Sequence, residues 1–379
     1  MKTFDSLIEE VQKPGLCHHC GGCVTFCTAI NYGALKMGAG DVPQYADRDK
    51  CIECGLCYSI CPEIDELRDE TNKIAGWVPP MGKVLETTVA QARDAEIRRR
   101  ATDGGVVTAM LLHLFDRGHI DGAIVTRQSG PFHREPWLAV SRQEILDAAG
   151  FYFDSSHGID RFSRNYSTYS PSAQEFRPIL QKGLRRVAMV GTPCQIKAVR
   201  KMEALGVVPS DAIRYRLGLF CSGNFMFGEE ERKKLEQMGG FQWEDVERIN
   251  VKDGLIVHLK SGKKQKISLQ QLDFMKRAAC HFCPDYAAEY ADLSFGGIGA
   301  KEGWTTVITR TPIGRAIFAD ARDNVLRIFD TGGKPGYAKE VLEWVKTSSL
   351  RKKRHADKMH DELVKGGRSG ARGLGFIPG

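Results

Sequence analysis

No apolar run in this chain of 379 residues approaches the about 20 that a membrane-spanning helix needs. The opening M-K-T-F-D-S-L-I-E-E carries acids where a secretory leader would carry its apolar core. Both observations set the expectation of a cytoplasmic protein without a transmembrane segment. No Gly-x-Gly-x-x-Gly follows a strand and opens a helix, so a dinucleotide site of the Rossmann type is not supported; Gly297-Ile298-Gly299 comes near and is weak alone. No basic-aromatic motif of the usual nucleic-acid modules occurs, which argues against a nucleic-acid partner. The rest of the composition is that of an ordinary globular protein, 42% hydrophobic and 27% charged, with length for two or three domains. The net charge of +7 serves solubility, or draws an anionic coenzyme or an acidic partner.

What the chain does have in number is cysteine, twelve in all. Without a leader these argue for metal rather than disulfides. Residues 17–27 read C-H-H-C-G-G-C-V-T-F-C and residues 51–62 read C-I-E-C-G-L-C-Y-S-I-C-P. Cys51 follows Cys17 by the same interval that separates Cys54 from Cys20, Cys57 from Cys23 and Cys61 from Cys27. Zinc takes four ligands, usually as separated pairs, and fits two such ladders poorly. The C-x2-C-x2-C-x3-C-P run resembles the ligand pattern of bacterial two-cluster ferredoxins, in which the last cysteine of each ladder serves the other cluster. That resemblance assigns Cys17, Cys20, Cys23 and Cys61 to one [4Fe-4S] cluster, and Cys51, Cys54, Cys57 and Cys27 to a second. Thr28 stands where the second ladder has Pro62, a turn position and not a ligand.

Beyond the ladders the pattern changes. Residues 1–16 suggest a short helical lead-in ended by Pro14-Gly15, residues 63–75 a charged helix, and Trp77 to Pro80 a linker. Strand and helix signals then alternate. Val106 to Phe115 predicts a helix after the loop R-A-T-D-G-G. A strand starts at Asp121-Gly122, another runs from Arg186 to Val190, and a helix with Ile196, Val199 and Met202 on one face follows. Tyr215 to Phe220 and Trp304 to Thr309 read as strands, Glu229 to Met238 and Pro312 to Ala321 as helices. Val246–Val251 and Leu255–Leu259 read as a hairpin around Lys252-Asp253-Gly254. From Tyr337 the chain turns helical and basic, with R-K-K-R at 351–354. It ends in a glycine-rich tail expected to pack poorly unless a partner holds it.

Four cysteines remain: Cys194 at a helix start after a strand, Cys221 at a strand end, and the pair Cys280 and Cys283. Two strand ends can meet on one edge of an open sheet, where sites form, and four thiols are what a third cubane needs. From spacing alone, a zinc site, a lone thiol activated by the helix start at Cys194, and an ordinary buried Cys221 stay equally open.

The motifs G-T-P-C-Q-I-K-A-V-R, L-F-C-S-G and C-H-F-C-P-D-Y-A-A-E-Y-A-D-L-S-F-G-G-I-G, with T-D-G-G-V-V-T-A-M-L-L-H-L-F-D-R-G-H-I-D-G-A-I-V upstream, resemble one family. It is the family of β subunits of the coenzyme F420-dependent hydrogenases and formate dehydrogenases of methanogens. The resemblance covers about residues 100–312. It implies that Cys194, Cys221, Cys280 and Cys283 hold a third [4Fe-4S] cluster beside FAD. Gly297 departs from it, since an acid is expected in that Gly-rich run. The fold class implied is α+β. A dicluster ferredoxin-like domain (1–78) precedes a mixed α/β flavoprotein domain (79–335) that binds FAD and coenzyme F420, and a basic helical extension (336–379) follows.

Thr102, Asp103, Gly104 and Gly105 open a helix whose amides suit a phosphate or the pyrimidine edge of a flavin, or else Asp103 is a plain helix cap. Ser167, Thr168 and Tyr169 lie in a hydroxyl-rich loop that lines a pocket or is merely solvated. Lys276 and Arg277 face an anionic coenzyme tail or solvent, and His281 is a spacer between ligands. No side chain is expected to act as a catalytic nucleophile. The expected function is hydride exchange between coenzyme F420 and FAD, with single electrons passed through three clusters to or from a partner: a hydrogenase or formate dehydrogenase catalytic subunit, or heterodisulfide reductase. The competing readings are a reductase of the same superfamily with another acceptor, and an electron carrier without hydride chemistry.

Overall fold

The computed structural model describes residues 1–29, 32–38, 42–130, 133–149, 183–207, 209–226, 229–251, 254–332 and 336–366. The hydroxyl-rich loop with Ser167, Thr168 and Tyr169, the hairpin tip 252–253 and the glycine-rich tail lie outside the described residues.

Each cysteine ladder is a tight loop running into a short helix, Gly22–Ala29 in the first and Leu56–Ser59 in the second. The sequence repeat is also a backbone repeat. His19 and Gly21 have positive φ in the first loop, and their counterparts Glu53 and Gly55 have it in the second. At Gly55 a Cβ would stand 2.7 Å from the Lys2 carbonyl, so the lead-in segment can close over the loop only because the residue is glycine. Between the ladders β1 (Leu35–Met37) and β2 (Pro43–Tyr45) form an antiparallel pair. Phe4, Leu7, Val11 and Leu16 of the lead-in bury themselves against Val24, Tyr58 and Ile64.

Among the described residues the main sheet has eight strands: β3 (Glu86–Ala92), β4 (Gly122–Gly130), β5 (His133–Ala139), β6 (Val187–Gly191), β7 (Ile213–Leu219), β11 (Leu293–Gly296), β12 (Thr305–Thr309) and β13 (Leu326–Ile328). Their spatial order is β13-β3-β12-β11-β7-β6-β4-β5. The four central strands β11, β7, β6 and β4 run parallel, and the remaining pairings are antiparallel. Strand alternation sorts the side chains. Ala123, Val125 and Ala188 face one core with helices Val106–Asp116 and Pro312–Asn324. Ile124, Val187 and Met189 face the other, with Val199 and Met202 of helix Pro193–Ala204. Phe26 and Ile60 of the ladder unit complete this second core. The ladder unit is therefore built onto one face of the sheet.

Between β7 and β11 the chain forms a satellite of β8 (Val246–Val251), β9 (Gly254–Leu259) and β10 (Lys264–Ser268), an antiparallel meander with helix Glu229–Gly239. Its own core is centred on Trp243, Leu235 and Val257. The last helix, Tyr337–Lys365, is about 43 Å long at 1.5 Å per residue. Val341, Val345, Ser349, Lys353 and Ala356 form its buried face. Near its start it covers Val89, Ala300 and Met81, and Met359 and Leu363 near its end reach the core of the ladder unit. Half of the basic run at 351–354 is thus turned inward: Lys353 is buried, while Arg351 and Arg354 are exposed.

Candidate redox centres and cavity

None of the twelve cysteines forms a disulfide. Their electrostatic neighbours fall into three groups. Burial raises the pKa of Cys23, and the thiols of Cys20, Cys17, Cys61 and Cys57 raise it further, in that order. Burial, then Cys20, raises Cys61. Cys57 is pushed up to about 12 by burial, then by Cys54, Cys51 and Cys27. Burial also raises Cys27, with Cys51 and Cys54 adding to it. The last cysteine of each ladder therefore stands with the first three of the other. In the third group burial raises Cys194, which then feels Cys20, Cys283 and Cys221. Cys221 in turn feels Cys280 and Cys283 after burial and the opposing charge of Lys352.

Local structure explains the third group. β6 and β7 are parallel neighbours with Gly191 opposite Gly218, so the segments that leave them emerge on one edge of the sheet. Thr192 and Gln195 form a reciprocal capping box with Pro193 at the first turn, which fixes Cys194 at the helix start. The Cys221 amide donates to the Tyr286 carbonyl at 2.8 Å, tying this strand end to the segment that carries Cys280 and Cys283. The Asn224 amide donates to Cys280 Sγ at 3.2 Å, and Thr192 Oγ1 stands 3.2 Å from Cys194 Sγ.

Thiols crowded in this way resist ionisation unless a cationic core sits among them, and all-sulfur quartets are the donor set of iron–sulfur cubanes. No three His, Cys, Asp or Glu side chains among the described residues are arranged to hold a single metal ion. A cubane sets each thiolate on its own iron and asks for a wider set than one ion does.

Lys276 and Arg277 take places the sequence did not suggest. Lys276 lies beside Cys280 and Cys221, and burial followed by the charge of Lys352 lowers its pKa. Arg277 is 5% exposed and donates to the His18 carbonyl at 3.0 Å, in the field of Cys17 and Cys20. Both are turned onto thiol groups, and neither lines the cavity described next.

A cavity of ≈ 280 Å³ opens at the ends of β7 and β11. This is where open α/β sheets place ligands, and the volume is near the lower edge of the about 300–1,000 Å³ typical of such sites. Its walls include Thr102, Asp103, Gly105, Cys221, Tyr286 and Thr305. The cap of helix Val106–Asp116 is Gly105 at φ 72, so Asp103 is not the cap residue; it stands two residues upstream, in the cavity wall. The first intrahelical bond is made by the Ala109 amide to Gly105, which leaves the earlier amides of Val106, Val107 and Thr108 without helical partners at the cavity. Gly104 is packed too closely for any side chain, with a Cβ position 2.7 Å from the Ala90 carbonyl. At Gly296 a Cβ would stand 2.2 Å from Phe220, and at Gly297 2.9 Å from the Asp103 carboxylate. The space where an acid was expected at 297 is thus taken by the carboxylate of Asp103. Phe220, Tyr286 and Thr305 were not among the expected site residues, although Phe220 and Tyr286 lie inside the cysteine-bearing motifs.

Paired thiol ladders built onto a mixed sheet, with a cavity beside a strand-end cysteine, define an iron–sulfur redox protein. Residues 9–72 match the 4Fe-4S dicluster domain. Residues 87–160 and 184–331 match the N-terminal and C-terminal parts of the coenzyme F420 hydrogenase/dehydrogenase beta subunit. The chain is 31% identical to coenzyme F420 hydrogenase subunit beta of Methanothermobacter thermautotrophicus over 73% of its own length and 94% of that protein. It is 26% identical to F420-dependent formate dehydrogenase subunit beta of Methanocaldococcus jannaschii, over 74% of this chain and 72% of that one. Its fold matches a chain of the F420-reducing [NiFe] hydrogenase complex from Methanosarcina barkeri with a TM-score of 0.65 and 26% identity, covering 78% of this chain and 97% of that chain. The protein belongs to the family of coenzyme F420 hydrogenase/dehydrogenase beta subunits. No helix among the described residues is long and apolar enough to cross a membrane.

Proposed function

We propose that this chain is the cytoplasmic subunit through which a redox complex meets coenzyme F420, with FAD held in the cavity and three [4Fe-4S] clusters leading from it to a partner. One observation carries the reading: Cys221 belongs to the third thiol group and also lines the cavity. The third group adjoins the first through Cys194 and Cys20, and the first adjoins the second through Cys23 and Cys57. Cys194, Cys221, Cys280 and Cys283 would hold the cluster nearest the cavity. Cys17, Cys20, Cys23 and Cys61 would hold the middle one, and Cys27, Cys51, Cys54 and Cys57 the outer one. When bound, FAD supplies the conversion between two-electron exchange with the coenzyme and one-electron exchange with the clusters.

The chain's own residues bind and orient. The amides at the start of helix Val106–Asp116, which have no helical partners, suit an anionic or carbonyl edge of a ligand. Gly296 and Gly297 let Phe220 and the Asp103 carboxylate close against the cavity wall. Phe220 and Tyr286, with ring centroids 5.7 Å apart, supply an apolar wall that excludes water. At the other end of the row, Ile52 is 57% exposed between Cys51 and Cys54, which suits docking of a hydrogenase, formate dehydrogenase or heterodisulfide reductase subunit.

The test is anaerobic mixing of the protein with reduced coenzyme F420 and, separately, with NADH, while flavin absorbance is followed. Rapid bleaching by the reduced coenzyme alone is expected. Bleaching by NADH alone, or no flavin released on acid extraction, would overturn the reading.

A further inference from the structure

The helix Tyr337–Lys365 begins beyond residue 331, the last residue of the segment that matches the family's C-terminal part. Yet one of its side chains enters the third thiol group. Lys352 Nζ donates to the Cys221 carbonyl at 2.6 Å and to the Asp285 carbonyl at 2.9 Å. Those carbonyls belong to the two segments that bring Cys221, Cys280 and Cys283 together. The ammonium is buried, and the acidic groups around it are Cys283, Cys221, Cys280 and Asp285, in order of their effect.

The helix holds this lysine in place from both sides. Lys353 pairs with Glu289 at 2.5 Å, with side-chain exposures of 6% and 2%. Glu289 also accepts from Trp77 Nε1 at 2.7 Å, and its amide donates to the Asp285 carboxylate at 3.0 Å. Val345 and Ala356 on the same helix are fully buried. Arg354 in the same basic run is exposed, so the inward turn of Lys352 is specific to its place on the helix.

We propose that Lys352 is a positioning residue that sets the reduction potential of the cluster held by Cys194, Cys221, Cys280 and Cys283. The proposal rests on the reading that these four thiols hold a cluster. Reduction adds one electron to a thiolate-ligated core, and net charge around the sulfurs is a lever on its potential. A cation bound to the ligand-bearing backbone favours the more negative state, so the centre beside the cavity accepts an electron more readily with Lys352 than without it. Lys276 also acts on Cys280 and Cys221, and it remains as a second cation when Lys352 is neutralised.

The experiment uses the full chain, purified anaerobically, with iron analysis and an EPR-monitored redox titration in which dithionite supplies the electron. The wild-type chain should contain about twelve irons, three cubanes of four. K352Q should keep that count. At the potential where the wild-type third cluster is half reduced, its ratio of reduced to oxidised cluster should fall at least about tenfold, which is a shift of about 59 mV for a one-electron couple. K352R and the exposed control R354Q should stay within about twofold of wild type on the same scale. An unmoved ratio in K352Q with twelve irons overturns the role of the lysine alone. A fall to about eight irons in K352Q assigns it to assembly and overturns the proposal too. About eight irons in the wild-type chain overturns the third cluster itself, and the proposal with it.

Discussion

Replacing Gly104 with alanine should damage the cavity from behind. The new Cβ would stand 2.7 Å from the Ala90 carbonyl, 3.0 Å from the Thr305 amide nitrogen and 3.0 Å from Thr305 Oγ1. Ala90 and Thr305 are register partners in β3 and β12, so neither backbone can retreat without loosening that pairing. Gly104 is also tied by two hydrogen bonds, its amide to Thr305 Oγ1 at 3.0 Å and its carbonyl to the Ala92 amide at 2.7 Å. Overpacking of a filled site costs about 1–3 kcal/mol, and each displaced hydrogen bond costs about 1 kcal/mol net. If the strands hold, the loop Thr102–Gly105 must yield and both bonds go, for a total of about 3–5 kcal/mol. The loop would then leave the cavity wall, and bound flavin should go with it. The assay is denaturant unfolding together with flavin content per chain. G118A is the reference: Gly118 has φ +66 and no atom within 4 Å of its Cβ position, so it carries only the backbone strain of about 1 kcal/mol. A G104A protein as stable as wild type and saturated with flavin would refute the packing argument.

Further outcomes follow from single residues. C194S should lower iron from about twelve to about eight per chain while both ladder groups persist, because the three thiol groups share no cysteine; a loss of all iron would contradict that division. K201M should remove the ammonium that the Ser59, Cys61 and Ile64 carbonyls share, cost about 1–3 kcal/mol and speed proteolysis near Trp77, read by gel time course. D121N should lose the pairing with Arg186, whose hydrogen bond holds the Asp121 carboxyl below its ordinary 3.8. A depressed folded pKa gives stability that is present above about pH 4 and lost as pH falls through the lower folded value. Wild type should therefore be the more stable of the two near neutrality, and the gap should close at acid pH; a gap that ignores pH would count against it.

The cysteine ladders were legible because ligands on one loop must keep a fixed spacing whatever the surrounding fold. The strand, turn and helix around Cys194 were legible for a similar reason, since they are contiguous and carry a strong cap. β11 was not read as a strand: Leu293–Gly296 is four residues long, and it is a strand because Leu293 pairs with Leu217 far away in sequence. The cavity left no spacing to find, because Thr102, Cys221, Tyr286 and Thr305 meet only once the sheet is ordered. Arg277 looked like a surface cation because nothing local shows that it will bond to His18 across the chain. Lys352 was hidden for the opposite reason. Its run of four basic residues suggests a solvated face, and only the long-range bonds of Lys352 to the Cys221 and Asp285 carbonyls and of Lys353 to Glu289 show which members turn inward.

The same contacts hold the three thiol groups in place relative to one another. Crossing Cys27 and Cys61 between the ladders makes the first two thiol groups one folding unit, since neither group is complete within its own ladder. That unit is then fixed to the sheet by independent ties. Phe26 and Ile60 fill a core shared with Val199 and Met202, Lys201 spans three of the unit's carbonyls, and Arg277 reaches back to His18. The last helix closes the arrangement, with Lys352 at the third group and Met359 and Leu363 on the core of the ladder unit. Ties of this kind oppose a hinge between the ladder unit and the sheet. On the proposed reading, a partner at the outer group would meet a preformed face at Ile52, and a conformational step would fall to segments away from these contacts.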